Sequence, residues 1–360
     1  MNPKQVTIKE IASRCGVSVS TVSRVLNDSP SVNPTKREKI QKVIDELGYQ
    51  PSMFARAMVS KQTYTFAVVV SDITNPYFTS LVYEIEQYSK KVGYSVLLIN
   101  TMSAGKNKDQ ASYEREIDNF KTIKEKQVDG VIVLGGELDR ERIDEAYLQQ
   151  LNKLDEEIPV VVIGHSHEGC QCTFIERDLD KGVRLLTQHL LALGYRKIGF
   201  IGGEPGIIIT ERRLKAFRET LSIYGQVDED YIILNDYYIK DGYHAMRQLI
   251  AQDKELPTAL VAINDDVAMG AIRALADAGL SCPQDIKIGS CDYFMNSEYH
   301  VPRITTIDQH NEYLGEVAVK KLLHFIDTNQ EDIPFIHEPE LMIRESCGVY
   351  LQEKDKCKDI

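Results

Sequence analysis

The sequence predicts a two-part α/β chain: a small, basic, all-helical head and a larger acidic body built on parallel sheets. Three observations predict it. Residues 6–49 carry apolar side chains at the three- and four-residue spacing of short amphipathic helices. From Thr65 onward, short apolar runs alternate with helical patterns, the signature of parallel strands joined by helices. The charge divides at the same place. Residues 1–62 hold ten Lys/Arg against five Asp/Glu, a balance of +5, and the remainder carries −17 within a whole-chain charge of −12. With 360 residues, 43% hydrophobic and 27% charged, the chain buries sizeable cores, and disordered or collagen-like classes are excluded.

Three helices account for the head. Thr7 with Glu10 reads as a capping box opening the first, whose apolar side is Ile8, Ile11 and Ala12. Gly16 ends it, because the turn needs a residue that tolerates positive φ. Ser18 caps the second helix, buried through Val22, Val25 and Leu26. Asn33-Pro34 supplies N-cap and first helical position for the third, which runs on Ile40, Val43, Ile44 and Leu47 and stops at Gly48. Ala12-x3-Gly16-x5-Val22 is the spacing of a helix-turn-helix: a small residue for close approach, a glycine for the turn, a valine sealing the angle. The second helix then shows Val19, Ser20, Thr21, Ser23, Arg24 and Asn27 to solvent. Small hydroxyls with an arginine suit a DNA major groove. The bland alternative is a three-helix mini-domain with a solvated face.

Pro51 breaks the pattern, and Ser52–Met58 has the length of two helical turns, too short to be stable alone in water. Met53, Phe54 and Met58 lack an obvious intrachain core. The segment is either a linker or a helix that forms on DNA and wedges the minor groove.

In the body, strands are expected at Phe66–Ser71, Ser95–Asn100, Gly130–Leu134, Val160–Gly164, Ile198–Ile201, Tyr231–Leu234, Leu260–Ile263 and Ile286–Ser290, with later ones near Thr305–Asp308 and Leu341–Arg344. Helical patterns between them include Leu81–Val92, Glu114–Lys126, Val183–Leu193, Arg213–Tyr224 and Val267–Ala278. So many strands exceed one small sheet. Two lobes with a cleft are expected, a single barrel being the competing arrangement. Ligands of open parallel sheets bind beyond the strands' carboxyl ends. There the sequence places Ser71, Asp72, Tyr77, Phe78, His165, Asp236, Tyr237, Asn264, Asp265, Asp292 and Gln309, with Arg213 at a helix start. Carboxylates, amides and an arginine beside aromatic rings fit a polyhydroxylated small molecule. Helix capping is the plainer role for Asn264 and Asp265.

The head resembles the lactose-, galactose- and purine-repressor family of bacterial transcription regulators. The resemblance rests on Val6–Ala12, Gly16–Asn27, Arg37–Ile40, Leu47–Tyr49, Pro51 and Ala55–Met58. It continues through Asn75–Phe78, Val128–Gly130, His189-Leu190 with Leu193–Tyr195, Ile201–Gly203, Arg213 with Phe217, Pro257–Ala259, Asn264-Asp265 with Gly270-Ala271, Thr305–Ile307 and Ile343–Ser346. It implies a three-helix helix-turn-helix head plus hinge helix, then a two-lobed periplasmic-binding-protein-like effector domain of two parallel, doubly wound sheets. The implied boundaries are 1–49 for the DNA-binding domain, 50–63 for hinge and linker, and 64–360 for the effector domain. Within the last, one lobe takes about 64–176 and 309–337, the other about 177–308 and 338–350. By resemblance Val19, Ser20 and Arg24 read bases, and Thr21, Ser23 and Asn27 bind phosphate. Met58 takes the place of the wedging leucine. Thr7, Ser18 and Ala55 complete the candidate DNA contacts. Matched positions make Ser71, Tyr77, Phe78, Arg213, Tyr237, Asn264, Asp292 and Gln309 effector contacts, and Asp72 and His165 join from their strand-end positions.

Departures from the family pattern bear on the ligand. Gly164 stands where some members have a sugar-contacting aspartate, Ile207–Ile209 where the stretch is often polar, Leu179 where asparagine is common, and Ser290-Cys291-Asp292 where glycine-aromatic-aspartate is usual.

The expected partners are therefore a double-stranded DNA operator, a small effector of carbohydrate type, and a second copy of the chain in a homodimer. The charged tail is too short for a heptad repeat that would make tetramers. No apolar run approaches the ~18 residues of a membrane helix, and no apolar signal core follows Met1. A cytoplasmic protein without a membrane partner is expected, and the odd count of seven cysteines fits a reducing compartment. No P-loop, dinucleotide fingerprint, metalloprotease helix or nucleophile elbow is present. No enzyme, cofactor or metal is expected. His165, His167, Cys170 and Cys172 offer nitrogen and sulfur donors, but their spacing fits no standard zinc module, and the tract reads as a cleft-edge loop. The competing functions are a sugar-binding module without DNA activity and an α/β enzyme with an appended helix-turn-helix.

Overall fold

The computed structural model describes residues 6–26, 30–49, 62–104, 112–224, 227–252, 254–327, 334 and 336–351, the side chains of 112 and 113 apart. The chain separates into two compact units, Met1–Tyr64 and Thr65–Ile360.

The first unit holds α1 (Ile8–Cys15), α2 (Val19–Leu26) and α3 (Pro34–Leu47). Their apolar sides meet in one core of Ile11, Ala12, Cys15, Val22, Val25, Ile40 and Ile44. Thr7 caps α1 by accepting the Glu10 amide. Glu10 itself pairs with Arg14 at 3.3 Å, so the expected box is present as its first half. Gly16 sits at φ 66°, the left-handed turn that lets α2 fold back on α1. Asn33 caps α3 with Pro34 in the first turn.

The second unit carries two parallel sheets. The first has the order β2-β1-β3-β4-β5, with β1 (Thr65–Val70), β2 (Ser95–Asn100), β3 (Gly130–Leu134), β4 (Val160–Ile163) and β5 (Thr173–Ile175). Alternation along its strands sorts side chains into two cores. Phe66, Val68, Val70, Ile132, Leu134, Val161 and Ile163 pack under α4 (Pro76–Lys91). Ala67, Val69, Val131, Val133, Val160 and Val162 take the other face, with α5 (Ser112–Lys126) and α6 (Glu145–Asp155). A period-2 pattern buried on both faces explains why these strands read as unbroken apolar runs.

The chain then crosses through Glu176–Asp178 into α7 (Leu179–Ala192) and the second sheet, ordered β7-β6-β8-β9: β6 (Ile198–Ile201), β7 (Ile232–Ile233), β8 (Ala259–Ala262) and β9 (Lys287–Ser290). Its helices are α8 (Ile208–Ser222), α9 (Ile239–Ala251) and α10 (Asp265–Asp277), around one large core. Gly242 and Gly270 let α9 and α10 pack backbone to backbone. A Cβ on Gly242 would strike the Val267 carbonyl, and one on Gly270 the Ile239 carbonyl. The antiparallel pair β10 (Thr306–Asp308) and β11 (Glu340–Met342) lies beside the second sheet's core, and α11 (Asn311–Ile326) returns to the first lobe, where Leu314, Val317, Ala318 and Leu322 complete its core.

The architecture is the two-lobed arrangement, and the single-barrel alternative is wrong: each sheet is open, with its own core. Tyr231–Leu234 shrinks to a two-residue strand behind a short 3-10 turn at Glu229–Tyr231. β5 adds to the expected strands; at three residues it is too short to show a period. Among the described residues, no helix is long and apolar enough to cross a membrane.

Candidate functional site

On the helical unit, α2 buries Val22 and Val25 and leaves Ser18, Val19, Ser20 and Arg24 exposed, with Thr21 and Ser23 half-buried. Ser18 organises the start of the helix. Its Oγ accepts the Thr21 amide at 3.2 Å and lies 2.8 Å from both the Ser20 and Thr21 hydroxyls. An exposed helix start with clustered hydroxyls is suited to phosphate, and Arg24, one turn on, to a base edge. Asn27, Ala55 and Met58 lie outside the described residues, as does the 52–58 segment.

In the second unit, the carboxyl ends of both sheets open into one cavity of about 1180 Å³, its mouth included. It gathers Tyr77, Phe78, His165, Arg213, Asp236, Tyr237, Asn264 and Asp292 of the expected residues. Helix starts place three of them. Asn75 caps α4 and sets Tyr77 and Phe78 in its first turn. Asn264 caps α10 by accepting the Val267 amide at 2.9 Å and donates to the Tyr237 carbonyl at 2.9 Å. It therefore performs the capping role and lines the cavity at once.

Asp292 is the electrostatic centre. It accepts from Arg213 Nη2 at 3.0 Å and Arg177 Nη1 at 3.2 Å, and from Asn311 Nδ2 at 3.3 Å. Burial alone would raise its pKa, but the two guanidiniums hold it below the ordinary carboxylate range. Arg177 also stacks 4.4 Å from the Tyr77 ring centre, so one guanidinium joins an aromatic of the first lobe to a carboxylate of the second. Arg213 gives Nη1 to the Ile263 carbonyl at 2.7 Å, and its Nε has no hydrogen-bond partner among the described residues. Arg212 grips Asp180 through two bonds of 3.0 and 3.1 Å and reaches His165 Nδ1 at 3.3 Å. His165 Nδ1 is also 2.8 Å from Glu176.

The basic groups are thus mostly engaged, while some acidic ones are open. Asp139 has no hydrogen-bond or ion-pair partner among the described residues, and burial pushes its carboxyl up to about 6 despite Arg177 nearby. Burial also pushes Asp236 up to about 6, against its bond from the Tyr237 amide. Burial raises the Tyr77 phenol to about 12, so it is a hydrogen-bond donor at neutral pH. Ile207, Ile208 and Ile209 with Leu138, Ile163, Ile175, Leu179 and Phe294 give the cavity an apolar wall.

Three expected contacts lie outside the lining. Ser71 is buried beneath Gly135. Asp72 is spent on the Thr74 amide and hydroxyl, at 2.9 and 2.7 Å, and on the Tyr238 hydroxyl. Gln309 is buried against Gly182 of α7. Their strand-end positions are as expected, but Ser71 and Gln309 turn into the protein and Asp72 is taken up by Thr74 and, across the cleft, Tyr238. Sequence reasoning missed Arg177, Arg212, Asp139 and Tyr238 as lining residues. Recognising β5 would have exposed Arg177, two residues past its end. Arg212 is the neighbour of Arg213 and shared its signal.

Residues 7–52 match the family described as bacterial regulatory proteins, lacI family, and residues 187–347 match a periplasmic binding protein-like domain. The HTH-type transcriptional repressor PurR of Photobacterium profundum is 31% identical over 342 residues, which is 94% of this chain and 98% of the relative. Among solved structures, the lac repressor dimer bound to operator and the anti-inducer ONPF superposes with a TM-score of 0.82 at 25% identity, covering 96% of this chain and 99% of the other. A transcriptional regulator CelR–cellobiose complex superposes with a TM-score of 0.67 at 27% identity, covering 95% and 99%.

Proposed function

The chain belongs to the lacI family of bacterial regulatory proteins and is a DNA-binding transcriptional regulator under allosteric control, and we propose that it represses from a near-palindromic operator as a homodimer whose occupancy is set by a carbohydrate-like effector in the cavity. Val19, Ser20 and Arg24 read base edges of a half-site, and Thr7, Ser18, Thr21, Ser23 and Asn27 hold phosphates. Residues 50–63 form the hinge and linker, with Ala55 and Met58 at the operator's centre. The division at 64–176 with 309–337, and 177–308 with 338–350, makes the two lobes move as separate bodies. Such a regulator works in the cytoplasm, without a membrane partner or catalysis.

One observation carries the proposal: residues of both sheets close a single cavity, with Arg177 bridging Tyr77 and Asp292 across it. A ligand held by both walls favours one lobe separation over the other by its differential affinity. The ligand set is Tyr77, Phe78, His165, Arg213, Tyr237, Asn264 and Asp292, with Asp139 and Arg177 added. Acceptors at Asp139 and Asp236 suit hydroxyls, and the isoleucine wall with the aromatics suits the apolar face of a ring.

Two experiments test this. A thermal-shift screen of sugars, sugar phosphates and nucleobases should return a sugar; at 100-fold its dissociation constant it stabilises by about 2.7 kcal/mol. A nucleobase as the only hit replaces the carbohydrate assignment. Selection from a mixed-sequence duplex pool should enrich a palindrome, and loss of that enrichment with the hit present or absent identifies inducer or co-repressor. No enriched palindrome sinks the operator reading and leaves a sugar-binding module.

A further inference from the structure

The charges lining the cavity are unevenly committed. Among the described residues, every arginine of the lining is held by a carboxylate: Arg140 by Glu137 at 2.9 Å, Arg212 by Asp180 at 3.0 Å, and Arg177 and Arg213 by Asp292 at 3.2 and 3.0 Å. No described lysine lines the cavity. An anionic ligand would therefore meet cations that are already spent. The acids differ. Asp139 of the first lobe and Asp236 of the second line the cavity without an ion pair among the described residues, and burial pushes both carboxyls up to about 6.

Asp139 has the more telling surroundings. It ends a 3-10 turn, Gly136–Asp139, at the carboxyl end of β3. A Cβ on Gly135, which sits at φ 74°, would meet Phe78 Cζ at 2.5 Å and Asp139 Oδ2 at 2.9 Å. The glycine thus lets the carboxylate and the edge of a ring close on one spot. The Asp139 charge also reaches the phenols of Tyr77 on the first lobe and Tyr237 on the second, adding to the burial that raises both. A carboxylate among aromatic rings is the chemistry that holds an organic cation: the acid supplies charge and acceptor, the rings their negative faces. A hydroxyl would satisfy the acceptor and leave the buried charge unbalanced, whereas an ammonium does both. Arg213, 1% exposed, keeps its Nε without an acceptor, a donor for a ring or hydroxyl oxygen in the same cavity.

We propose that the effector is an amino sugar, a ring with one hydroxyl replaced by a protonated amine, and that Asp139 selects it by pairing with the ammonium beside Tyr77, Phe78 and Tyr237. This rests on the cavity being the effector site and narrows the carbohydrate assignment to a cationic ring. It also excludes phosphorylated and acidic sugars.

The test is calorimetric titration of the full-length protein at pH 7 with matched probes. Glucosamine, galactosamine and mannosamine are each compared with the neutral hexose and the N-acetyl form. Glucose 6-phosphate serves as the anion and putrescine as an amine without a ring. At least one amino hexose should bind roughly tenfold or more tightly than both its neutral forms, the difference a charge-assisted bond makes. Asp139→Asn should erase that preference, weakening the amine about tenfold and the neutral hexose by less. Ligand-free melting at or above the parent's temperature shows that the variant folds, since the change removes a buried charge. A neutral or N-acetyl form that binds as tightly as its amine overturns the proposal and leaves the carbohydrate assignment standing. Glucose 6-phosphate as the tightest ligand overturns the charge selection, and putrescine bound as tightly as the amino hexose overturns the ring. A preference that survives Asp139→Asn, or is lost in Asp236→Asn instead, overturns the residue. Failure of every amine to bind overturns the proposal as well, and the carbohydrate assignment then stands or falls on the neutral sugars.

Discussion

Arg213 and Asp292 form an ion pair at 3.0 Å with both side chains almost wholly buried, at the floor of the cavity. Removing one member of a buried pair leaves a charge uncompensated, which costs about 3–5 kcal/mol. The two sides are unequal here. Without Arg213, Asp292 still has Arg177 and Asn311. Without Asp292, two buried guanidiniums lose the carboxylate they share, and only Arg177 has another acid, Asp139, nearby. Asp292→Ala should therefore destabilise the chain by about that full amount, and Arg213→Ala by less. Both should abolish the response to the effector. Urea unfolding decides the order; an Arg213→Ala chain as unstable as Asp292→Ala would show that Arg177 does not share the load.

A second bond crosses the cleft between the Tyr238 hydroxyl, at the start of α9, and the Asp72 carboxylate, beyond β1. A hydrogen bond to a charged group contributes about 1.5–3 kcal/mol. Tyr238→Phe keeps the ring and removes the bond, so it should shift the lobes toward separation. Small-angle scattering of the ligand-free variant should show a larger radius of gyration than the parent. An unchanged radius would mean the lobes are held by other contacts, Arg177 foremost.

What the sequence made legible follows from the range of the forces involved. The head was readable to the residue because its determinants are local: Gly16 at φ 66°, the Ser18 and Asn33 caps, and apolar spacing within 14 residues of α3. The two sheets were readable because burial on both faces leaves unbroken apolar runs. The cavity was readable as a set of strand ends, and this fails where the final turn of a side chain decides. Ser71 and Gln309 reach the right ends and point inward, and Asp72 is held by Thr74 and Tyr238. Arg177 acts across 115 positions of sequence on Asp292, and no local pattern encodes such a partner.

Arg24 tests the helical unit. Its side chain is exposed on α2, one turn beyond the Ser18 hydroxyl cluster. Arg24→Ala should leave thermal stability nearly unchanged and relax operator choice by about 1–3 kcal/mol at one base pair. Binding-site selection with the variant reads this directly. A preference identical to the parent's would remove Arg24 from base recognition and leave it a phosphate contact.

The last prediction concerns Glu116, buried on the inner side of α5, where it accepts the Glu137 amide at 3.2 Å. Burial pushes its carboxyl from 4.5 up to about 7, against the bond from the Glu137 amide. The folded chain therefore holds this proton across a window, from about pH 4.5 to 7, in which the unfolded chain has released it. With more protons bound in the folded state, stability falls as pH rises through that window, by on the order of 3 kcal/mol from this group. Glu116→Gln keeps an acceptor for the Glu137 amide and has no proton to lose. The difference in unfolding free energy between variant and parent should grow in the variant's favour from pH 5 to pH 8. Asp139, Asp265 and Asp266, raised to about 6 by burial, contribute the same slope to both chains and cancel in that difference. A difference that stays flat across the range would show that Glu116 is ionised in the folded state throughout.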